Sequence, residues 1–144
     1  MFKYYSTTMI PLPPHEFKAT AAGTYEIGQA VAVDASAGLV KPLTAALTTA
    51  PEYISMHRGT IAADGDLMPL ARVVPSAEYE TELTAAVASL AVGAGLEISA
   101  SGLGVDGTAV GAFIVTAFDG NTLGSTVRGH FSFIGAQGPT GPSA

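Results

Sequence analysis

The chain has 144 residues and no cysteine, which excludes a disulfide framework, thiolate catalysis and the usual zinc sites. Charged residues are scarce, at 12% of the chain, and only six of them are basic. These basic residues are scattered, which excludes the clustered positive face that nucleic-acid binding needs. No apolar run reaches the roughly 18 residues of a membrane span, and the N-terminus lacks a secretory pattern. We therefore expect a soluble protein with no nucleic-acid partner and no membrane partner.

What the sequence does contain is a large share of small and apolar residues. Apolar residues make up 48% of the chain, the formal net charge is -6, and there are 17 glycines. Much of the apolar fraction is alanine, which predicts a thin core. A surface that is poor in charge and rich in small residues is poorly solvated, so we expect part of it to face another protein.

Alternating apolar residues predict strands along most of the chain. The alternation from Tyr25 to Val33 predicts one strand, DASAG at 34–38 is turn chemistry, and LVKPL at 39–43 is the returning strand of a hairpin. Further strands are predicted at 51–56, 67–74, 77–84, 95–99, 109–118 and 125–133, with one short helical turn possible at 44–50 and a small-residue turn or short helix at 85–90. The ADGD turn at 63–66 predicts another hairpin. The pattern indicates an all-β barrel of about eight to ten short strands.

The first predicted hairpin is repeated later in the chain. IGQAVAVDASAGLVK at 27–41 aligns without a gap with VGAGLEISASGLGVD at 92–106. Each copy has a glycine where the backbone bends, two inward apolar residues, a loop and a returning valine. Two such hairpins can curl around one core, and a chance match between glycine-rich hairpins is the alternative. The predicted structural glycines are Gly28, Gly38, Gly93 and Gly102.

Residues 1–18 are predicted to be an extended arm, because prolines exclude a helix and the segment is too apolar for a disordered tail. It either contacts another chain or lies along its own domain as an edge segment. Residues 19–134 form the predicted barrel domain, and 135–144 form a tail of collagen-type Gly-x-y triplets. The candidate contact residues of the arm are Phe2, Tyr4, Tyr5, Ile10, Pro11, Leu12, Pro13 and Pro14.

No catalytic, cofactor or metal site is legible in the sequence. The three histidines, His15, His57 and His130, lie in unrelated contexts with no nucleophile motif near them. Asp64 and Asp66 lack the rest of a calcium loop, and turn chemistry explains them. The alternating Glu78, Glu80 and Glu82 are typical of a solvated strand face. We therefore predict a protein that is not an enzyme and binds no cofactor.

Three stretches carry a resemblance to a known family. GTYEIGQAVAVDASAGLVKPL at 23–43, PEYISM followed by ADGDLMPLARV, and VGAGLEISASGLGV with STVRGHF resemble the small decoration, or cement, proteins of tailed-bacteriophage heads with the β-tulip fold. The resemblance covers about residues 20–133. Its motifs are structural glycines and alternating strands, and the triplet tail lies outside it.

The resemblance implies a virion structural protein. It would sit as a homotrimer on the outer surface of the capsid, with the arm reaching onto the major capsid protein and bracing its lattice. The collagen-type triplets indicate an alternative, the base or shaft domain of a trimeric surface fibre or adhesin. A small hydrolase using Asp64 or the carboxylate row is a third hypothesis, from a different class.

Overall fold

A computed structural model describes residues 1–7, 14–75 and 77–133. The predicted tail at 135–144 and the contact candidates at 10–13 lie outside these residues. The described residues form strands and loops with no helix, and so no helix that could cross a membrane, which confirms the predicted all-β fold. The strands are β1 (Lys3–Thr7), β2 (Glu16–Thr20), β3 (Gly23–Tyr25), β4 (Ala30–Asp34), β5 (Leu39–Pro42), β6 (Tyr53–Ser55), β7 (Gly59–Ile61), β8 (Asp66–Arg72), β9 (Ala77–Glu82), β10 (Gly95–Ile98), β11 (Val105–Val110), β12 (Phe113–Phe118) and β13 (Thr126–Phe131).

Five strands form a closed barrel in the order β2-β5-β4-β6-β8, which we call the first unit. The pairs are antiparallel except β2–β5, which is parallel at Thr20 and Val40. The predicted hairpin is β4–β5. Its turn forms because the Asp34 carboxylate accepts the backbone N–H groups of Ser36 and Ala37, at 3.1 and 3.2 Å, as aspartate does in turns. The barrel prediction is confirmed.

The last five strands form a second unit, in a sheet ordered β9-β13-β12-β10-β11, and β1 adds to the outer edge of β9. A parallel bridge between Leu83 and Val105 connects the end of β9 to β11. Beside this bridge the Thr84 N–H donates to the Val105 carbonyl at 2.9 Å, as the Ala21 N–H donates to that of Val40 at 2.7 Å in the first unit. The two units therefore close in the same way.

The strand registers of the two units match at most positions, so the repeat extends well beyond the hairpin seen in the sequence. The matching pairs of the first and second units include Val33–Val40 and Ile98–Val105, Ala30–Ile54 and Gly95–Ile114, Ser55–Leu70 and Val115–Gly129, Glu16–Leu70 and Tyr79–Gly129, Thr20–Val40 and Leu83–Val105. Val31–Pro42 has no such counterpart, because a register shift in β10 pairs Leu96 with Val110. From Glu16 to Phe131 the chain therefore contains one five-strand unit twice.

Several local predictions were wrong, and the backbone explains why. The single strand predicted from Tyr25 to Val33 is broken between β3 and β4 by a turn in which Gly28 has a φ of 82°. The turn interrupts the alternation, so Tyr25 is buried whereas Ile27 is 39% exposed, and Val33 near the end of β4 is 42% exposed. The run at 109–118 divides into β11 and β12 at Gly111, where a Cβ would collide with the Leu96 carbonyl.

The predicted helical turns and the second hairpin also differ from the structure. Residues 44–50 and 85–90 contain no helix, and 85–90 instead include a turn at 88–89, which was the alternative predicted there. Strand β7, which precedes the ADGD turn, pairs with β3 instead of β8. In place of a helical turn, the loop at 44–50 lies along β10, where Leu47 and Ile98 form an isolated antiparallel bridge with two backbone hydrogen bonds of 2.9 Å. The described residues consequently contain thirteen strands, more than the eight to ten predicted.

The apolar core has two parts. The first unit encloses a small cluster, whereas the larger cluster fills the second unit and extends to the first through Ala30 and Ile54, which are 0% and 3% exposed. Their counterparts Gly95 and Ile114 in the second unit are only half-buried. The contact between the units is therefore not symmetric, because it uses the outer face of one unit only.

Candidate interaction surface

The N-terminal segment, which the sequence predicts to be an arm, begins as an edge strand of the second unit. β1 pairs antiparallel with β9, with Lys3 opposite Glu80 and Tyr4 opposite Tyr79. The predicted boundary after residue 18 falls inside β2, which belongs to the first unit. An extended apolar segment gains hydrogen bonds and burial on a free sheet edge, and the edge of its own β9 supplies both.

Phe2 lies in the core of the second unit and is 4% exposed. Its ring packs against those of Phe113 and Phe131, with centroids 5.9 and 5.5 Å away. Its N–H donates to the Gly28 carbonyl at 2.7 Å. In this structure Phe2 is therefore a core residue. It offers no exposed surface to a partner, because its side chain is buried in an aromatic pocket of its own chain.

The two tyrosines of β1 differ in exposure. Tyr4 stacks on Tyr79 at 4.9 Å between centroids, and its hydroxyl donates to the Arg72 carbonyl at 3.4 Å. Tyr5 is 49% exposed, and the Arg128 guanidinium lies 3.9 Å from its ring centroid. A hydrogen bond from Arg128 to Glu80, at 3.1 Å, raises the pKa of the arginine. Of the predicted contacts in the described residues, Tyr5 and Pro14 are exposed.

The four predicted structural glycines all have positive φ: 82° at Gly28, 70° at Gly38, 91° at Gly93 and 74° at Gly102. They lie in the turns and loops of the two repeated hairpins. At Gly102 a Cβ would also collide with the Ala30 carbonyl, which lies in the first unit. These glycines shape the scaffold, and Gly102 sits where the two units touch.

The carboxylates that the catalytic hypotheses would use have structural partners. Asp64 accepts the Ala22 N–H at 2.8 Å and so links its loop to the residues after β2, and Asp66 accepts the Ala63 N–H at 3.3 Å within its own turn. Glu78 accepts the Thr116 hydroxyl at 2.7 Å, and Glu80 accepts from Arg128. Within 1–7, 14–75 and 77–133, no group of three or more histidine, aspartate and glutamate residues could hold a metal ion.

Sequence reasoning missed an exposed apolar surface on the first unit. Phe17 on β2 and Leu67 on β8 are both 64% exposed. They lie on the outer side of neighbouring strands, since Phe17 pairs with Pro69 and Ala19 pairs with Leu67. The signal was present in DLMPLAR, where apolar residues occupy both sides of a strand, and in EFKAT, where Phe17 and Ala19 share one side. Only the register shows which of them point outward.

A buried acidic pair lies on the second unit. Glu97, 6% exposed, is opposite Asp106 across β10 and β11. Burial and the neighbouring Asp106 carboxylate raise the pKa of Glu97. Despite its own burial, Asp106 has a lowered pKa, because it accepts the Thr108 N–H at 2.9 Å and further hydrogen bonds. The two carboxyl groups therefore shift in opposite directions, with the pKa of Glu97 raised and that of Asp106 lowered.

This pair predicts a pH dependence of stability. A carboxyl group whose pKa is raised by folding stabilises the protein fully below its unfolded-state pKa, about 4.3 for glutamate. This stabilisation is lost as the pH rises from that value through the raised pKa of the folded state. The Glu97→Gln variant should therefore lose less stability than wild type between pH 5 and pH 8, measured as the urea midpoint. Glu82→Gln, at an exposed position of β9, is the control. Equal pH dependence in wild type and Glu97→Gln would contradict the assignment.

The same positions of the first unit hold Ala32 and Lys41, which pair across β4 and β5. Equivalent backbone sites in the two units therefore carry unrelated side chains. Comparison with known proteins adds no relative that could explain these differences: no protein-family model matches the chain, and no curated protein sequence matches it.

Proposed function

We propose that the protein is a non-enzymatic structural protein of a tailed-phage virion. It binds the outer surface of the capsid as a homotrimer and stabilises the lattice of the major capsid protein. The all-β body, the scarcity of charge and the structural use of the carboxylates support a binding role. The resemblance in the repeated hairpins supports the phage assignment.

One observation carries the proposal: both ends of the segment 8–13 are held by strands of the body. β1 ends at Thr7 on the edge of the second unit, and β2 begins at Glu16 in the first unit. The sequence between them contains Ile10 and Leu12 and several prolines. A segment fixed at both ends loses less conformational entropy on binding than a free arm. The contact element is then this short connection, with Tyr5 beside it.

A trimer would present three such connections to the capsid at once. Each contact can be weak, because the second and third contacts form at high effective concentration once the first has formed. Low affinity of a single copy is therefore compatible with full occupancy of the head.

The test is binding to purified heads that lack the protein, measured by co-sedimentation. The double variant Ile10→Asp, Leu12→Asp should bind at least tenfold more weakly than wild type, because charged side chains cannot fill apolar pockets without a desolvation penalty. Leu123→Asp, at a 72% exposed position of the second unit, should bind like wild type. Full occupancy by the double variant would contradict the role of this segment.

A further inference from the structure

The outer face of β2 and β8 carries an apolar patch, which we define as Phe17, Ala19, Leu67 and Pro69. The register places these four side chains on one side of the strand pair, opposite the barrel interior that contains Met68. Phe17 and Leu67 are each 64% exposed. Large exposed apolar neighbours of this kind mark protein contacts more often than isolated residues do.

The second unit provides a comparison at the same positions. Its β9–β13 pair matches β2–β8 in register, so Glu80, Glu82, Thr126 and Arg128 are the counterparts of Phe17, Ala19, Leu67 and Pro69. These residues are polar or charged, Glu80 and Arg128 form an ion pair at 3.1 Å, and Tyr5 covers the arginine. The fold therefore accepts a polar face here, and the apolar face of the first unit is not required for folding.

The apolar patch continues an interface that already exists within the chain. Along the outer side of β8, Ala71 is 6% exposed, and Ile54 beside it on β6 is buried with the core of the second unit. The next outer positions toward the start of β8 are Pro69 and Leu67. The outer side of β8 is thus buried at Ala71, next to the second unit, and continues, with no charged outer residue, to Pro69 and Leu67. Neither of the described units covers this last part.

We propose that this apolar patch is the contact surface between copies of this chain. The inference rests on the proposed function, of which it specifies the trimer interface. Each copy carries a net charge of -6, so identical copies repel except where they meet through uncharged surface. The four side chains of the patch carry no charge, and interfaces between permanent partners have apolar centres of this kind.

The first experiment uses the absence of native cysteine. Leu67→Cys and Leu123→Cys each place a single thiol at an exposed position, 64% and 72% in the free chain. In the assembled protein the thiol of Leu67→Cys should react with a maleimide at least tenfold more slowly than that of Leu123→Cys. Similar rates in the assembled protein would overturn the proposal.

The second experiment replaces the patch with its counterpart from the second unit. The double variant Phe17→Glu, Leu67→Thr should fold, as circular dichroism can verify, and should be a monomer of about 14.5 kDa by light scattering. Leu123→Glu should keep the mass of wild type. A double variant that keeps that mass would overturn the proposal, and if it also failed to bind heads, the patch would contact the capsid instead.

The two proposals can fail separately. If both the wild type and the double variant assemble, the patch is not the contact between copies, and the proposed capsid role is unaffected. A wild type that is monomeric at every concentration overturns the patch assignment together with the trimer in solution, and its binding to heads then decides the capsid role by itself.

Discussion

Phe2→Ala should lower the free energy of unfolding by about 3 kcal/mol, the loss expected when a large aromatic side chain is removed from a packed core. The Phe2 ring packs against both Phe113 and Phe131, whose own ring centroids are 5.3 Å apart, so the three rings form a triangle. Its removal leaves a cavity in the core of the second unit, at the point where β1 starts. Urea unfolding followed by circular dichroism measures the change.

Tyr5→Ala is the matched control, three residues along the same segment. Because Tyr5 is 49% exposed and lies over a surface arginine, its loss should change the unfolding free energy by less than about 1 kcal/mol. If Phe2→Ala unfolds at the same urea concentration as wild type, the N-terminal segment does not belong to the core. The segment would then be the extended arm that the sequence predicts.

Gly28→Ala and Gly93→Ala form a pair that the internal repeat makes comparable. Both glycines have positive φ, 82° and 91°, and alanine in this region costs about 1 kcal/mol. A Cβ on Gly28 would lie 2.9 Å from the Phe2 carbonyl oxygen, whereas nothing lies within 4 Å of a Cβ on Gly93. We expect a loss of about 1 kcal/mol for Gly93→Ala and about 3 kcal/mol for Gly28→Ala, since overpacking adds to the backbone penalty.

The difference between these two variants also reports where the N-terminal segment lies. The additional loss at Gly28 arises from the backbone of Phe2 and from Met1, so it should disappear when residues 1–7 are removed from both variants. Equal losses for Gly28→Ala and Gly93→Ala in the full chain, measured by urea unfolding, would show that nothing packs on Gly28.

The parts of the fold that could be predicted are those set by local chemistry. Asp34 and Gly38 specify the β4–β5 turn through hydrogen bonds and positive φ, and both are readable in DASAG. The similarity of 27–41 to 92–106 also predicted the repeated hairpin. Alternation identified the strand at 77–82 correctly, within the predicted range 77–84.

The remainder depended on contacts that the sequence does not display. Whether Tyr25 and Val33 share a strand depends on the turn at Gly28. This turn leaves space for Phe2 of the N-terminal segment, which packs against it. The full extent of the repeat was hidden because equivalent sites carry dissimilar residues, such as Glu16 and Tyr79. Backbone register survives such substitutions, since hydrogen bonds between strands do not require particular side chains.

The candidate surface shows the same division. Apolar side chains in the first residues were recognisable, but exposure separates Phe2, in the core, from Tyr5, on the surface. Phe17 was assigned to the arm, and its position beside Leu67 follows only from the pairing of β2 with β8. Long-range pairing, and not composition, decides which apolar residues face outward.

The solution mass of the purified protein, measured by light scattering over a range of concentrations, tests the proposed structural role most directly. A homotrimer that assembles through uncharged apolar surface should give a mass near three times 14.5 kDa, independent of concentration, and added salt should not dissociate it, because salt screens the repulsion between copies. A mass of one chain at every concentration would contradict a preformed trimer and the contact between copies.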